Sequence, residues 1–429
     1  MTFLSRCPGI GAKLPVSWWN SRRLLVQDDS RAGQLSGPEN AWAREDGETL
    51  MIQIHEPFHG AVLNHRHGRK TSDGLEIPVW GTAPADEPVT VNGAFARRAG
   101  ERFFATVLLH APETGIAAVA GGVTGCSENR VRVTWDRHSR PRYRFGIDDN
   151  CFFLRDIAGE RYTSLFQSFY LAGLRELHRK YNTKFVLNCF YATPENDFTL
   201  SQFPADYRAE WADNADWLKL AFHAYAEFPD RPYQNCAPEK LAADYDLVAG
   251  EIRRFAGETS FSPSTIIHWG MVHPAAWNVL TARGVKVLSG MFYPNTGSIY
   301  TTEGESFPVE ETGTPFGYDV NYSLDNARSE YLNRHDALKD FASGIIFSKV
   351  DIVCNNVPDE QIVPMLEPLT RDANTAEIMD LFTHEQYFWP SYASYRPDHF
   401  QRLETAIRFC TEHGYEPVFF HEGLLGGTE

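Results

Sequence analysis

The chain has no Cys-x-x-Cys pair, no excess of basic charge, and no apolar run near the roughly 20 residues that a membrane span needs. Each absence excludes a class. Seven cysteines (Cys7, Cys126, Cys151, Cys189, Cys236, Cys354 and Cys410) are odd in number and scattered. That is the pattern of reduced thiols, not of a disulfide framework or a structural zinc site. A net charge of −16 argues against sequence-independent binding to nucleic acid and against attraction to anionic lipid, since both need a basic surface. The N-terminus lacks the continuous apolar stretch of a secretory signal. Arg22-Arg23 is followed only by Leu24-Leu25-Val26 before polar residues, so the cytoplasm is the expected compartment. No Gly-x-Gly-x-x-Gly, P-loop or Gly-x-Ser-x-Gly stands in a suitable context.

What is present suffices for two domains, or for one large domain with an appendage. The 429 residues are 43% hydrophobic and 13% aromatic, which fills ordinary cores. Residues 1–41 show no sustained period and are expected to form an irregular arm that carries Trp18-Trp19. From 42 to 140 the period is two: Leu50, Ile52 and Ile54, then Leu75, Ile77 and Val79, then Phe103, Ala105, Val107 and Leu109, then Val131, Val133 and Trp135. Turn signals at Asn92-Gly93 and Pro112-Glu113-Thr114-Gly115 separate the runs. This spacing predicts a small immunoglobulin-like β-sandwich domain.

After Pro141 strands and helices alternate. Strands are predicted at Tyr143 to Ile147, Lys184 to Tyr191, Trp217 to His223, Thr265 to His268, Val285 to Leu288, Asp351 to Cys354, Ile378 to Thr383 and Pro417 to Phe420. Helices are predicted over 162–182, 238–256, 274–283 and from about Phe400 to Cys410. The clearest stripe is Leu241, Tyr245, Val248, Ile252 and Phe255. The Gly-, Tyr- and Thr-rich segment 291–328 reads as an insertion over one mouth. The fold class is therefore α/β, a distorted β/α barrel over 141–429 preceded by the β-sandwich.

Barrels carry chemistry at the C-terminal ends of their strands, and acids and imidazoles collect there. Phe145-Gly-Ile-Asp-Asp149 ends the first strand. A lone acidic pair caps helices or faces solvent more often than it acts. On an extended chain, Asp148 and Asp149 also point to opposite sides unless the backbone bends. His223 and Glu227 follow the third strand, and with Asp149 they would give a divalent ion of the zinc or manganese type three ligands. His268-Trp269 and His384-Glu385 extend the ring, while Tyr191, Tyr387 and Trp389 offer apolar faces for a sugar. Ordinary packing competes for each of those aromatics. His65-Arg-His67-Gly-Arg69 reads as a solvated turn, and Cys189 has no partner that marks it as a nucleophile.

The order and spacing of these motifs over roughly 143–425 resemble the polysaccharide deacetylase family. Phe145-Gly146-Ile147-Asp148-Asp149 is similar to that family's Thr-Phe-Asp-Asp motif, which implies Asp148 as general base and Asp149 as metal ligand. His223-Ala-Tyr-Ala-Glu227 resembles its His-x-x-x-His motif, with Glu227 in the second place. Phe382-Thr383-His384 resembles its closing Leu-His motif and implies His384 as the acid for the leaving group. Ile267-His268-Trp269-Gly270 stands where the family has Arg-x-Pro-Tyr-Gly, so the arginine that steadies the base is missing. The resemblance implies a divalent metal cofactor and an acetylated carbohydrate substrate. His268, Trp269, Tyr191, Glu385, Tyr387 and Trp389 are the expected substrate contacts. Two other classes compete: a metal-free glycoside hydrolase pairing Asp148 or Asp149 with Glu385 or Glu422, and a non-catalytic carbohydrate-binding barrel.

Overall fold

The computed structural model describes residues 51–122, 125–293, 298–300, 306–308 and 320–425. The expected arm at 1–41 and much of the insertion at 291–328 lie outside the described residues. The chain is a mixed α/β protein with several sheets. No described helix is long and apolar enough to cross a membrane. The six described cysteines are all free.

Residues 53–135 form two sheets. One has the order Gln53–Glu56, Leu75–Thr82, Arg102–Leu109, Arg97–Ala99, with Arg69–Lys70 added beside Leu75–Thr82. The other has the order Val62–Leu63, Gly125–Trp135, Glu113–Gly122, Val89–Val91, Ala94–Phe95. Alternation decides which side chains turn inward: Leu75, Ile77 and Val79 are buried between less buried neighbours, as are Val131 and Val133. Asn92 and Gly93, with φ of 48° and 81°, make the two-residue hairpin turn that their types favour. The expected turn at Pro112–Gly115 is instead the start of a strand, paired from Glu113 opposite Thr134 onward. Its inward residues include Ala118 and Ala120, too small to raise a clear alternation.

Beyond Pro141 the sheet order is Leu218–Ala224, Phe185–Phe190, Arg142–Asn150, Ile378–His384, Ile352–Val353, all parallel, with Glu416–Pro417 also beside Arg142–Asn150. Its three inner strands are buried at every position, as a parallel sheet covered on both faces requires. A second sheet joins Val287–Gly290, Ile346–Lys349 and Ala337–Lys339. Among the described residues the strands do not close into one hydrogen-bonded barrel. The expected strand Thr265 to His268 does not form. It lies between Pro263, which has no N–H for a ladder, and Trp269, whose φ is 63°. Isolated bonds bridge two of the gaps instead: Ser262 N to Leu220 O at 2.8 Å and Ser289 N to Thr265 O at 2.6 Å.

Helix Pro238–Ala256 keeps its predicted bounds. Pro238 opens it, Arg253 and Arg254 sit in its last turn, and Gly257 ends it with φ of 91°. Its five-residue stripe is fully or nearly fully buried, and it packs on strand Leu218–Ala224. The two regions share an extensive seam. Lys339 N donates to Gly60 O at 2.8 Å, Phe58 stacks on Tyr331 at 4.7 Å, and Arg66 pairs with Glu377 at 2.5 Å. The His65–Arg69 turn is thus partly a seam element, with His67 half-buried and lining a small polar cavity beside Asp136, Asp336 and Glu377.

Candidate metal centre

Strand Arg142–Asn150 sets the site. Alternation places Arg144, Gly146 and Asp148 on one face. A Cβ at Gly146 would collide with the Arg144 guanidinium, so only glycine lets that side chain lie across the strand. By the same alternation Asp149 should face away, but its φ is 63° and the register with Phe185–Phe190 shifts between Ile147 and Asn150. The bend turns both acids toward one cavity. A left-handed non-glycine residue costs on the order of 1–3 kcal/mol and persists only where its surroundings hold it. Here Asn150 does so: its Nδ2 donates to Ile147 O at 2.6 Å and to Asn188 O at 3.1 Å, while Tyr170 donates to its Oδ1 at 2.8 Å.

Three side chains meet at the base of the cavity. His223 Nε2 lies 3.1 Å from Asp149 Oδ1 and 3.1 Å from His268 Nδ1, and His268 Nδ1 lies 3.6 Å from Asp149 Oδ1. Both rings are anchored from behind. His223 Nδ1 donates to Ile266 O at 3.2 Å, and His268 Nε2 donates to Glu227 O at 3.0 Å. Those carbonyls hold the far nitrogen of each ring and turn His223 Nε2 and His268 Nδ1 toward one another. Such a contact is repulsive unless a proton or a cation lies between them. Ligands about 2.0–2.1 Å from a tetrahedral ion stand roughly 3.3 Å apart, and the three separations bracket that value. Asp149, His223 and His268 are therefore a buried cluster able to hold a metal ion.

This corrects the expected ligand set. His268, read from sequence as a substrate contact, supplies the third ligand atom in place of Glu227. Glu227 still lines the cavity, but it serves the cluster through its backbone carbonyl, and burial together with the Asp149 charge pushes its carboxyl well up. Burial also drives His268 down to about 3, helped by the charge on His223, which keeps it neutral as a ligand must be. Burial opposes ionisation of Asp149, yet the hydrogen bond from His223 and the nearby imidazole charges hold it well below the usual carboxylate range. Burial lowers His223 too, but Asp148 and Asp149 outweigh it and raise the ring, so a metal would displace a proton there.

The two expected catalytic residues stand beside the cluster. Asp148 pairs in register with His384 across parallel strands. Burial pushes the Asp148 carboxyl up to about 7, against the pull of His223. His384 Nδ1 is held by Asn355 Oδ1 at 3.0 Å, and Thr383 donates to the same oxygen at 3.1 Å. Burial takes the His384 ring down to about 4.

The expected substrate contacts divide. Trp269 and Tyr387 line the cavity with His268. Glu385 does not: its carboxylate accepts from the backbone N–H groups of Cys151, Phe152 and Phe153 at 2.7, 2.8 and 2.7 Å and caps helix Phe152–Glu160. Trp389 is buried with its indole N–H on Asp156 Oδ2 at 2.8 Å, and Tyr191 packs against Tyr225. Neither ring borders the cavity. Sequence reasoning missed Asn188 and Gln386, which donate to Asp148 Oδ1 at 2.7 Å and to Asp149 Oδ2 at 2.8 Å. The nearness of Gln386 to His384 is the one signal that pointed to it.

The cavity is small, about 60 Å³, and Ile266, Met291, Val350 and Phe382, which pack in one apolar cluster, add to its lining. At a water's share of about 30 Å³, that volume corresponds to roughly two water-sized groups. No protein-family model matches the chain, and comparison with curated proteins finds no relative.

Proposed function

We propose that the chain is a metal-dependent hydrolase that removes an N- or O-linked acetyl group from a carbohydrate, built as a distorted β/α barrel behind an immunoglobulin-like β-sandwich. The observation that carries this reading is the set of three lone pairs from Asp149, His223 and His268, converging beside Asp148 and His384 in a cavity of acyl size. The bonds that cross the gaps between sheets support the barrel description. A divalent ion of the zinc or manganese type suits two imidazoles and a carboxylate. When bound it would polarise a carbonyl and make water a better nucleophile.

The chain's own residues would do the rest. Asp148 would take a proton from the attacking water, as a carboxyl raised to about 7 suits a base working near neutrality. His384 is neutral at pH 7, so the proton it would pass to the departing amine or alkoxide is the one that Asp148 takes from the attacking water, and the cycle needs no other. Acyl size explains why the reacting group enters while a sugar ring remains outside. Trp269 and Tyr387 border the cavity, and Tyr225, Phe228 and Tyr293, close in sequence to cavity residues, carry exposed rings.

Two observations weigh against the competing readings. Glu385 is occupied as a helix cap, and Glu422 neighbours His421 and Lys219 instead of the cavity, so neither supplies a glycosidase's second carboxylate. The non-catalytic reading rested on Glu227 where a second histidine was expected and on the missing arginine; His268 offers the second imidazole, and Asn188, not an arginine, holds Asp148. The test incubates metal-loaded protein with acetylated and unacetylated oligosaccharides and follows products by mass. Release of acetate supports the proposal. Chain shortening with every acetyl retained contradicts it.

A further inference from the structure

Asp148 and Asp149 are adjacent, buried, and both close to His223 Nε2, at 3.7 and 3.1 Å. Nothing in the residue type tells them apart. Their carboxamide partners do. Asn188 Nδ2 donates to Asp148 Oδ1 and Gln386 Nε2 to Asp149 Oδ2, so each acid has one oxygen tied and the other turned toward the cluster. For Asp149, held ionised, the Gln386 orientation follows, because an ionised carboxylate accepts and does not donate; Asn188 faces Asp148 in the same sense whenever that carboxylate is ionised. Each amide then leaves its own carbonyl oxygen, Asn188 Oδ1 and Gln386 Oε1, buried with no protein partner among the described residues. A buried acceptor without a donor is costly and calls for an explanation. It occurs twice in one site, on the two residues that hold the two acids.

We propose that Asn188 and Gln386 are positioning residues that divide labour between the acids: Gln386 fixes Asp149 as a one-oxygen metal ligand, and Asn188 fixes Asp148 as the proton acceptor. Both partners are neutral, so they orient the carboxylates without neutralising them, which an arginine in the same place would do. Gln386 lies in the short 3-10 turn Glu385–Phe388 that follows His384, and so ties the end of that strand to Asp149. The assignment rests on the metal-centre reading above.

The experiment measures zinc affinity by competition with a chromophoric chelator, and turnover of an acetylated oligosaccharide at saturating zinc. Gln386→Ala should weaken zinc binding by about 10–100-fold, the usual scale for a partner of a metal ligand, with turnover largely restored by excess zinc. Asn188→Ala should leave zinc affinity within about threefold and lower kcat by about 10–100-fold, the scale of a misplaced reacting group. Urea midpoints of the metal-free proteins control for general damage. If Asn188→Ala does not fold, Asn188→Leu removes the donor at similar size. Equal effects of both variants on zinc, or none from Gln386→Ala, overturn the division of labour. A wild-type chain that takes up no zinc overturns the metal centre itself and this assignment with it.

Discussion

One face of strand Arg142–Asn150 carries two buried polar clusters, four residues apart. At Arg144 the charges close on one another: its Nε lies 2.7 Å from Asp380 Oδ1, its Nη1 donates to Thr265 at 2.6 Å, and Ser289 holds the other Asp380 oxygen. Nearby, Lys349 pairs with Asp351 at 2.9 Å. At Asp148 and Asp149, among the described residues, the ion-pair partners within 4 Å are imidazoles, with no lysine or arginine. A cluster whose charges cancel internally reads as scaffold. A cluster of converging acceptors with no lysine or arginine among them is one able to hold a metal ion.

The largest effects should come from the open cluster. Asp148→Asn and His384→Ala should each lower turnover by about 10²–10⁴, the range for a lost base or acid, with zinc affinity retained in direct titration. Coupled losses of turnover and zinc would mean that the two groups belong to the ligand set. In the closed cluster the effect should fall on stability instead. Arg144→Ala strands a buried aspartate and should cost about 3–5 kcal/mol, read from urea unfolding of the metal-free protein. A shift under 1 kcal/mol would remove the scaffold reading.

Two buried imidazoles, His67 at the seam and His399 beside Thr383 and Phe388, give a third, pH-dependent comparison. Burial, with the His335 charge adding to it, takes His67 from 6.5 down to about 4, and burial takes His399 down to about 3. Both are neutral in the fold, while the unfolded chain binds protons below about 6.5. Neither ring costs stability above pH 6.5; as pH falls from there the unfolded chain gains protons that the fold does not, and stability is lost until the folded values near 4 and 3 are reached, on the order of 3 kcal/mol for His67. His67→Gln should flatten the stability profile between pH 6.5 and 4. An unchanged profile would place the acid sensitivity elsewhere. The smallest effect belongs to Glu227→Gln, which keeps the carbonyl that anchors His268 and should change zinc affinity by less than about threefold.

One half of this comparison, the open cluster, was largely legible in the sequence; the closed cluster at Arg144 was not. The strand exits at Asp148-Asp149, His223 and His384 lie where periodicity put them, because alternation of apolar residues fixes strand ends well. The helix stripe from Leu241 to Phe255 is equally local. The choice between Glu227 and His268 was not legible. Four-residue spacing suggests a shared face only on a helix, and Glu227 sits in a loop. His268 reaches the cluster from a segment 45 residues beyond His223, through gap-crossing bonds that no periodicity announces. The bend at Asp149 was foreseen only as a condition, since a left-handed residue leaves no mark when it is an aspartate. Closure of the barrel was over-read for a related reason: strand–helix alternation specifies parallel strands, but not whether the edges pair.

The most direct test is anomalous diffraction from a zinc-soaked crystal of the full chain. The account predicts one strong peak about 2.0–2.2 Å from Asp149 Oδ1, His223 Nε2 and His268 Nδ1. The absence of a peak there, or a zinc held by the Glu227 carboxylate with His268 outside bonding distance, would contradict it.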